Sequence, residues 1–183
     1  MNITASKFFN AWVATVHEMR PVLVENWRNA TKFTSLVKSS DDCVIKRVAV
    51  RVGLECFPSD YYSVDSVLYQ KCDLVPEIPE VPTWLRALSV AFEHENDIRS
   101  GIYKEVSHLL ILNADLRVLV TYPIGDGITD QELAHAHAII HGARHEKEIS
   151  DKENFLLILG SETDFAWQGF VYKHDDWKEI KPI

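Results

Sequence analysis

Apolar side chains recur at helical spacing from the start of the chain. With Thr4 or Ser6 as a cap, Ala5, Phe9, Trp12, Val16 and Met19 line one face of a helix that ends before Pro21. A second series, Val22, Val24, Trp27, Ala30, Phe33 and Leu36, predicts another helix as far as Lys38. The chain thus opens with a helical pair whose aromatic faces suit a core or a self-association surface better than a ligand box. Ser39-Ser40-Asp41-Asp42 interrupts the pattern, and Asp41 or Asp42 can cap the next helix. Between Cys43 and Leu54 two periods overlap. Val44, Val48, Val50, Val52 and Leu54 alternate as in a strand, while Val44, Val48 and Val52 with Ile45 and Ala49 share a helical face; helix is the expectation.

Phe57-Pro58-Ser59-Asp60 turns the chain into a strand over Tyr61–Gln70. Cys72 to Pro82, with Pro76, Pro79 and Pro82, reads as an irregular loop, and Trp84 to Ser89 leads into a strand through Glu93. Asn96 or Asp97 can cap a helix with Ile98, Ile102, Val106, Leu109 and Leu110 inward, ending near Asn113-Ala114-Asp115. Arg117 to Tyr122 is a short β-branched run typical of a buried strand, closed by Pro123 through Gly127. Strand, helix, strand in this order predicts a parallel crossover. Thr129 is the expected cap of a helix from Asp130 to about Lys147, with Leu133, Ala136, Ile139, Ile140 and Ala143 inward. A strand over Phe155–Leu159 comes next, and Phe170-Val171-Tyr172 reads as the final edge strand, with Trp177 and the last residues unassigned. At 183 residues and 46% hydrophobic composition, one domain is expected, with residues 1–40 as a helical arm and 41–183 as an α/β core.

The chemistry concentrates at Glu93-His94-Glu95. In a strand, Glu93 and Glu95 share one face and His94 takes the other. Asp65 opens the apolar run before it, so pairing of the two runs brings Asp65, Glu93 and Glu95 together. Like charges that close repel unless a cation or a proton intervenes. An all-oxygen set suits a hard cation, Mg2+ or Mn2+, at about 2.0–2.1 Å per contact for Mg2+. A second group, His135, His137, His141 and His145, sets His137, His141 and His145 along one side of the predicted helix, where two imidazoles can hold zinc; the acid of an HExxH motif is missing, and a solvated or pH-responsive helix surface is the expected reading. Gly125-Asp126-Gly127 lacks the spacing of a phosphate cradle, and Ser161-Glu162-Thr163-Asp164 reads as a turn.

The element order, with Asp65 on one core strand and Glu93-x-Glu95 on the next, resembles the PD-(D/E)XK superfamily, the restriction-endonuclease-like fold, over roughly Val44 to Leu159. The resemblance implies a mixed sheet flanked by helices and a Mg2+- or Mn2+-dependent nuclease. Its metal is then held by Asp65, Glu93 and the main-chain carbonyl of His94, with Glu95 activating the attacking water. Glu95 stands where the family carries lysine; Lys104 is the candidate substitute cation. Glu55 resembles the additional helical acid of many members, with Glu105 a further candidate of that kind. The alternative is a non-catalytic member of the same fold, binding a partner through its aromatic N-terminal helices.

Charge bears on the partner. A formal net charge of −8 is unusual for a protein that coats nucleic acid. Residues 1–51, however, hold eight Lys/Arg against four acids, and a cation bound in the acidic remainder offsets its carboxylates. Nucleic acid, DNA before RNA, is the expected partner, with a homodimer to cut two strands. The 3 cysteines, Cys43, Cys56 and Cys72, form no CxxC pair, and no apolar run approaches the ~20 residues needed to span a bilayer. No signal-peptide pattern opens the chain, so a cytoplasmic location and no membrane partner are expected.

Overall fold

The computed structural model describes residues 3–75, 84–96, 98–123 and 130–182. The prolines of the 72–82 loop, Asp97, Gly125 to Gly127 and the Thr129 cap lie outside these residues. The protein is an α/β structure with a seven-stranded mixed sheet in the order β1-β2-β3-β4-β5-β6-β7. The strands are β1 (Glu55–Phe57), β2 (Ser66–Tyr69), β3 (Leu88–Glu95), β4 (Ala114–Thr121), β5 (Phe155–Ser161), β6 (Ala166–Tyr172) and β7 (Trp177–Ile180). The central pairs β3/β4 and β4/β5 are parallel, and every other neighbouring pair is antiparallel. The helix between β3 and β4 is the crossover that parallel pairing demands.

Helices cover both faces. On one side lie α1 (Ala5–Glu18), α2 (Arg20–Asn26), α3 (Ala30–Thr34) and α4 (Val44–Val52). On the other lie α5 (Ile98–Ile111), α6 (Asp130–His141) and α7 (Glu146–Lys152). The period-two alternation of the strands feeds both layers. Val90 and Phe92 of β3 pack under α1–α4, whereas Ala91 packs under α5; on β5, Leu156 and Ile158 face the first layer and Leu157 and Leu159 the second. α1 starts at Thr4, whose hydroxyl accepts from Lys7 N–H at 3.2 Å. α4 ends at Gly53, whose φ of 79° is the left-handed value glycine tolerates at a helix end.

Several boundaries differ from expectation for identifiable reasons. The helix expected over Val22 to Lys38 breaks at Asn29, whose side chain caps a new helix by accepting from Lys32 N–H at 3.1 Å. A π-helical turn, Ser35–Ser39, then closes the segment with Ser40 N–H donating to Ser35 C=O. The strand expected over Tyr61–Gln70 shrinks to β2, because Tyr62 and Ser63 take φ of 52° and 69° and fold the chain back. Glu55 lies two residues past the Gly53 cap of α4, but it opens strand β1 and is not itself helical. The helix expected to Lys147 ends at His141, before Gly142, and α7 resumes at Glu146, anchored by buried Ile149. Phe170 to Tyr172 belongs to an inner strand. The true edge is β7, whose Trp-Lys-Glu-Ile sequence has the short, charged character that protects sheet edges.

The N-terminal helices are a layer of the core. Phe8, Phe9 and Trp12 are fully buried, and Trp12 meets Phe92 and Trp167 at ring separations of 5.8 and 5.5 Å. Among the described residues no helix is long and apolar enough to cross a membrane. Trp12→Ala is expected to lose about 3–5 kcal/mol in urea unfolding. Trp12→Phe should lose clearly less, since it also removes an indole N–H that has no hydrogen-bond partner among the described residues.

Candidate functional site

Ser66 pairs with Phe92 and Val67 with Ala91, a register that sets Asp65, the residue before β2, beside Glu93. Asp65 N–H donates to Glu93 Oε2 at 3.2 Å, and His94 N–H donates to Asp65 Oδ2 at 2.9 Å. Asp65 Oδ1 accepts from Lys38 Nζ. Lys38 comes from the π-helical turn, and the neighbouring helix is tied to the end of β3 by Asn96 Nδ2 donating to Thr34 Oγ1 at 2.8 Å. The resulting cation–carboxylate pair is three-quarters buried, with side-chain exposures of 23% and 22%.

Glu93 lies deeper, on the face covered by α5, and is 1% exposed. Docking of Ile102, Val106 and Leu109 into the second core brings Glu105 and His108, one helical step apart, against it. Glu93, Glu105 and His108 each offer a ligand atom within 4.8 Å of the others. His108 Nδ1 is 3.4 Å from Glu105 Oε2 and 3.6 Å from Glu93 Oε1, yet it is aligned for a hydrogen bond with neither. Glu93 Oε1 is likewise without a hydrogen-bond partner among the described residues. Burial first, then the negative charges of Asp65 and Glu105, push the Glu93 carboxyl far above the usual carboxylate range. Without a cation it holds a proton at neutral pH.

The structure brings most of the expected acids together and separates one. Glu95 shares the Glu93 face and leans on α5 at Gly101, where a Cβ would fall 1.9 Å from Glu95 Oε2; glycine leaves the room this side chain occupies. Glu105 reaches the centre. Glu55 does not: it pairs with Tyr69, four residues along the sheet from Asp65, roughly 13 Å away. Lys104 is mostly exposed and its Nζ lies 3.4 Å from Glu105 Oε1, on the outer side of the same centre. The His94 ring turns into the first layer, where Nε2 is 2.9 Å from the Tyr122 hydroxyl; burial lowers its pKa to about 3, so the ring is neutral. Lys38 and His108 are additions to the residues that the sequence pattern singles out. For His108 the available signal was the i, i+3 spacing after Glu105 on the helix after Glu93.

Both Asp65 oxygens are engaged, by Lys38 and by the His94 N–H. The open lone pair is Glu93 Oε1, facing α5, so the ligand set on offer is Glu93, Glu105 and His108. Two carboxylates and one imidazole suit Mn2+ better than Mg2+.

The histidine group also differs from expectation. His145 falls outside α6, in the turn before α7, so the run of three along one helix does not form. His135 Nδ1 lies 3.0 Å from the Tyr103 hydroxyl, and His137 Nε2 lies 2.9 Å from Lys173 C=O. His141 instead meets Glu146 and His174. A cleft of about 490 Å³ opens at the other end of the sheet, near Asn113, Arg117 and His145. Its Arg117 guanidinium is spent on the carbonyls of Leu109, Leu112 and Ala114.

Two buried groups contribute opposite slopes to the pH profile of the metal-free protein. A free histidine titrates near 6.5 and His94 near 3, so its contribution is complete above pH 6.5 and is lost as pH falls toward 3. A free glutamate titrates near 4.5 and Glu93 far higher, so its contribution is complete below pH 4.5 and is lost as pH rises above it. Between 4.5 and 6.5 the two slopes cancel. Melting temperature against pH is expected to show a plateau there, with an alkaline decline that Glu93→Gln flattens and acid loss that it leaves in place. An alkaline limb unchanged in Glu93→Gln would place the titration elsewhere.

No family model matches the chain, and neither the curated proteins nor the solved structures compared with it include a match.

Proposed function

We propose that the chain is a metal-dependent nuclease of restriction-endonuclease-like type, hydrolysing phosphodiester bonds in nucleic acid. One observation carries the reading: Glu93 is buried, its Oε1 has no hydrogen-bond partner among the described residues, and a second carboxylate and an imidazole stand within 4.8 Å. Such an oxygen costs about 1–3 kcal/mol unless something binds it. Support comes also from the order α4-β1-β2-β3-α5-β4, with two antiparallel pairings and then a parallel crossover, which agrees with the resemblance carried by Asp65 and Glu93.

Mn2+, or Mg2+, held by Glu93, Glu105 and His108 would supply positive charge and acidify a water. Asp65 fixes Glu93 through its N–H and holds the Lys38 ammonium beside the centre. Lys38 thereby brings from the N-terminal layer the charge that Glu95 cannot provide at the motif's third position. Glu95, on the same face as Glu93, is the group to accept a proton from the attacking water. DNA is the first substrate to test, and a homodimer the expected form.

The second reading, a binding protein of the same fold, loses its proposed surface, because Phe8, Phe9, Trp12 and Phe33 are in the core. Incubation with plasmid, single-stranded DNA and RNA under Mn2+, Mg2+ or chelator separates the two. Cleavage is expected with Mn2+ and none with chelator. Glu93→Gln and Asp65→Asn should lose ~100-fold or more, while Glu55→Gln keeps full rate. Undiminished cleavage by Glu93→Gln overturns the assignment; Mn2+-dependent retention of nucleic acid without cleavage favours the binding reading.

A further inference from the structure

α6 ends at His141, α7 begins at Glu146, and the turn between β6 and β7 carries His174. Three chain segments thus deliver two imidazoles and a carboxylate to one spot, with ligand atoms all within 4.8 Å of one another. His174 Nδ1 is already 3.1 Å from Glu146 Oε1, and the rings of His141 and His174 stand 4.8 Å apart. Tetrahedral zinc, with contacts of about 2.0–2.2 Å, needs ligand atoms roughly 3.3 Å apart. The remaining adjustment falls to His141 and His174, which are exposed.

The surroundings hold the group in place. Tyr172 hydroxyl donates to Glu146 Oε1 at 2.9 Å and stands 3.5 Å from His141 Nδ1. His174 N–H donates to Ser150 Oγ at 2.9 Å, fixing the turn against α7. Lys173 and Lys178, near the same turn, pair with Glu153 at 2.8 and 3.1 Å. Glu146 lies against the Tyr172 phenol and the imidazoles of His141 and His174.

We propose that His141, Glu146 and His174 form a Zn2+ site that clamps the α6–α7 junction to the β6–β7 turn. Nitrogen donors select zinc over magnesium, and three protein ligands leave a fourth position for water. Tyr172 acts as a positioning residue, orienting Glu146 from behind. This site is separate from the Glu93 centre and stands whether or not that centre cleaves nucleic acid.

The test is metal competition on the full chain. Protein stripped with chelator is titrated with Zn2+ against a chromophoric chelator, and with Co2+ for its ligand-field spectrum. One tight equivalent that persists in Glu93→Gln is expected at this site; any zinc taken up at Glu93, Glu105 and His108 is lost in that variant. Affinity should fall at least ~100-fold in His174→Ala and Glu146→Gln, and about tenfold in Tyr172→Phe. The Co2+ spectrum should change in His141→Ala. Glu146→Gln keeps an oxygen for the Tyr172 hydroxyl and His174 is exposed, so circular dichroism should show both variants folded. No zinc on folded wild type, or undiminished affinity in His174→Ala and Glu146→Gln, overturns the proposal.

Discussion

A carboxylate shut away from water under a helix is the constraint around which this protein is arranged. Six strand pairings fix where Glu93 sits on β3, and the apolar docking of α5 decides what it meets there. Each buried leucine, isoleucine or valine contributes on the order of 1.5–3 kcal/mol, so the two cores can easily offset one badly solvated acid. The discomfort is local and specific. It falls on an oxygen that faces Glu105 and His108, while the other oxygen of the same carboxylate accepts the Asp65 N–H.

The sheet's middle was legible because its signals are strong. β-branched and aromatic runs at Val90 to Phe92, Val118 to Val120 and Phe155 to Leu159 have no competing helical period over enough residues, and the helix between the first two forces parallel pairing. The edges were not legible. β1 is three residues long and β7 reads Trp-Lys-Glu-Ile, so neither carries the alternation that betrays a strand. Asn29 and Gly142 split two expected helices. A cap and a glycine inside a periodic run weigh little against the apolar pattern, yet locally they decide where hydrogen bonding stops.

The candidate centre divides in the same way. Asp65 and Glu93 could be paired from sequence, because two neighbouring strands with acids at facing ends leave few registers open. Lys38 could not, since it reaches Asp65 through a π-helical turn whose extra residue rephases the side chain. His108 sat in plain view on the α5 face. It was lost among the hydrophobic positions that define that face, and only the burial of Glu105 at its side shows which way the pair points. Under the proposed function the Lys38 charge has a physical logic: a phosphate site would need a cation at a position in space, whichever element supplies it.

Net charge is a poor guide to such a site, because charges separated by more than a Debye length of about 8 Å are largely screened at physiological salt. The −8 of the whole chain matters less at Glu93 than Asp65, Glu105, Lys38 and Lys104 around it. Two acids pressed together there admit either a proton or a metal ion, and the two compete for the same lone pairs. Metal binding must then expel the proton that Glu93 otherwise keeps, which makes occupancy steeper in pH than it would be for a solvated carboxylate. Under the proposed function, the burial that destabilises the bare acid would also favour a divalent ion, since a partially hydrated monovalent ion cannot repay the same desolvation.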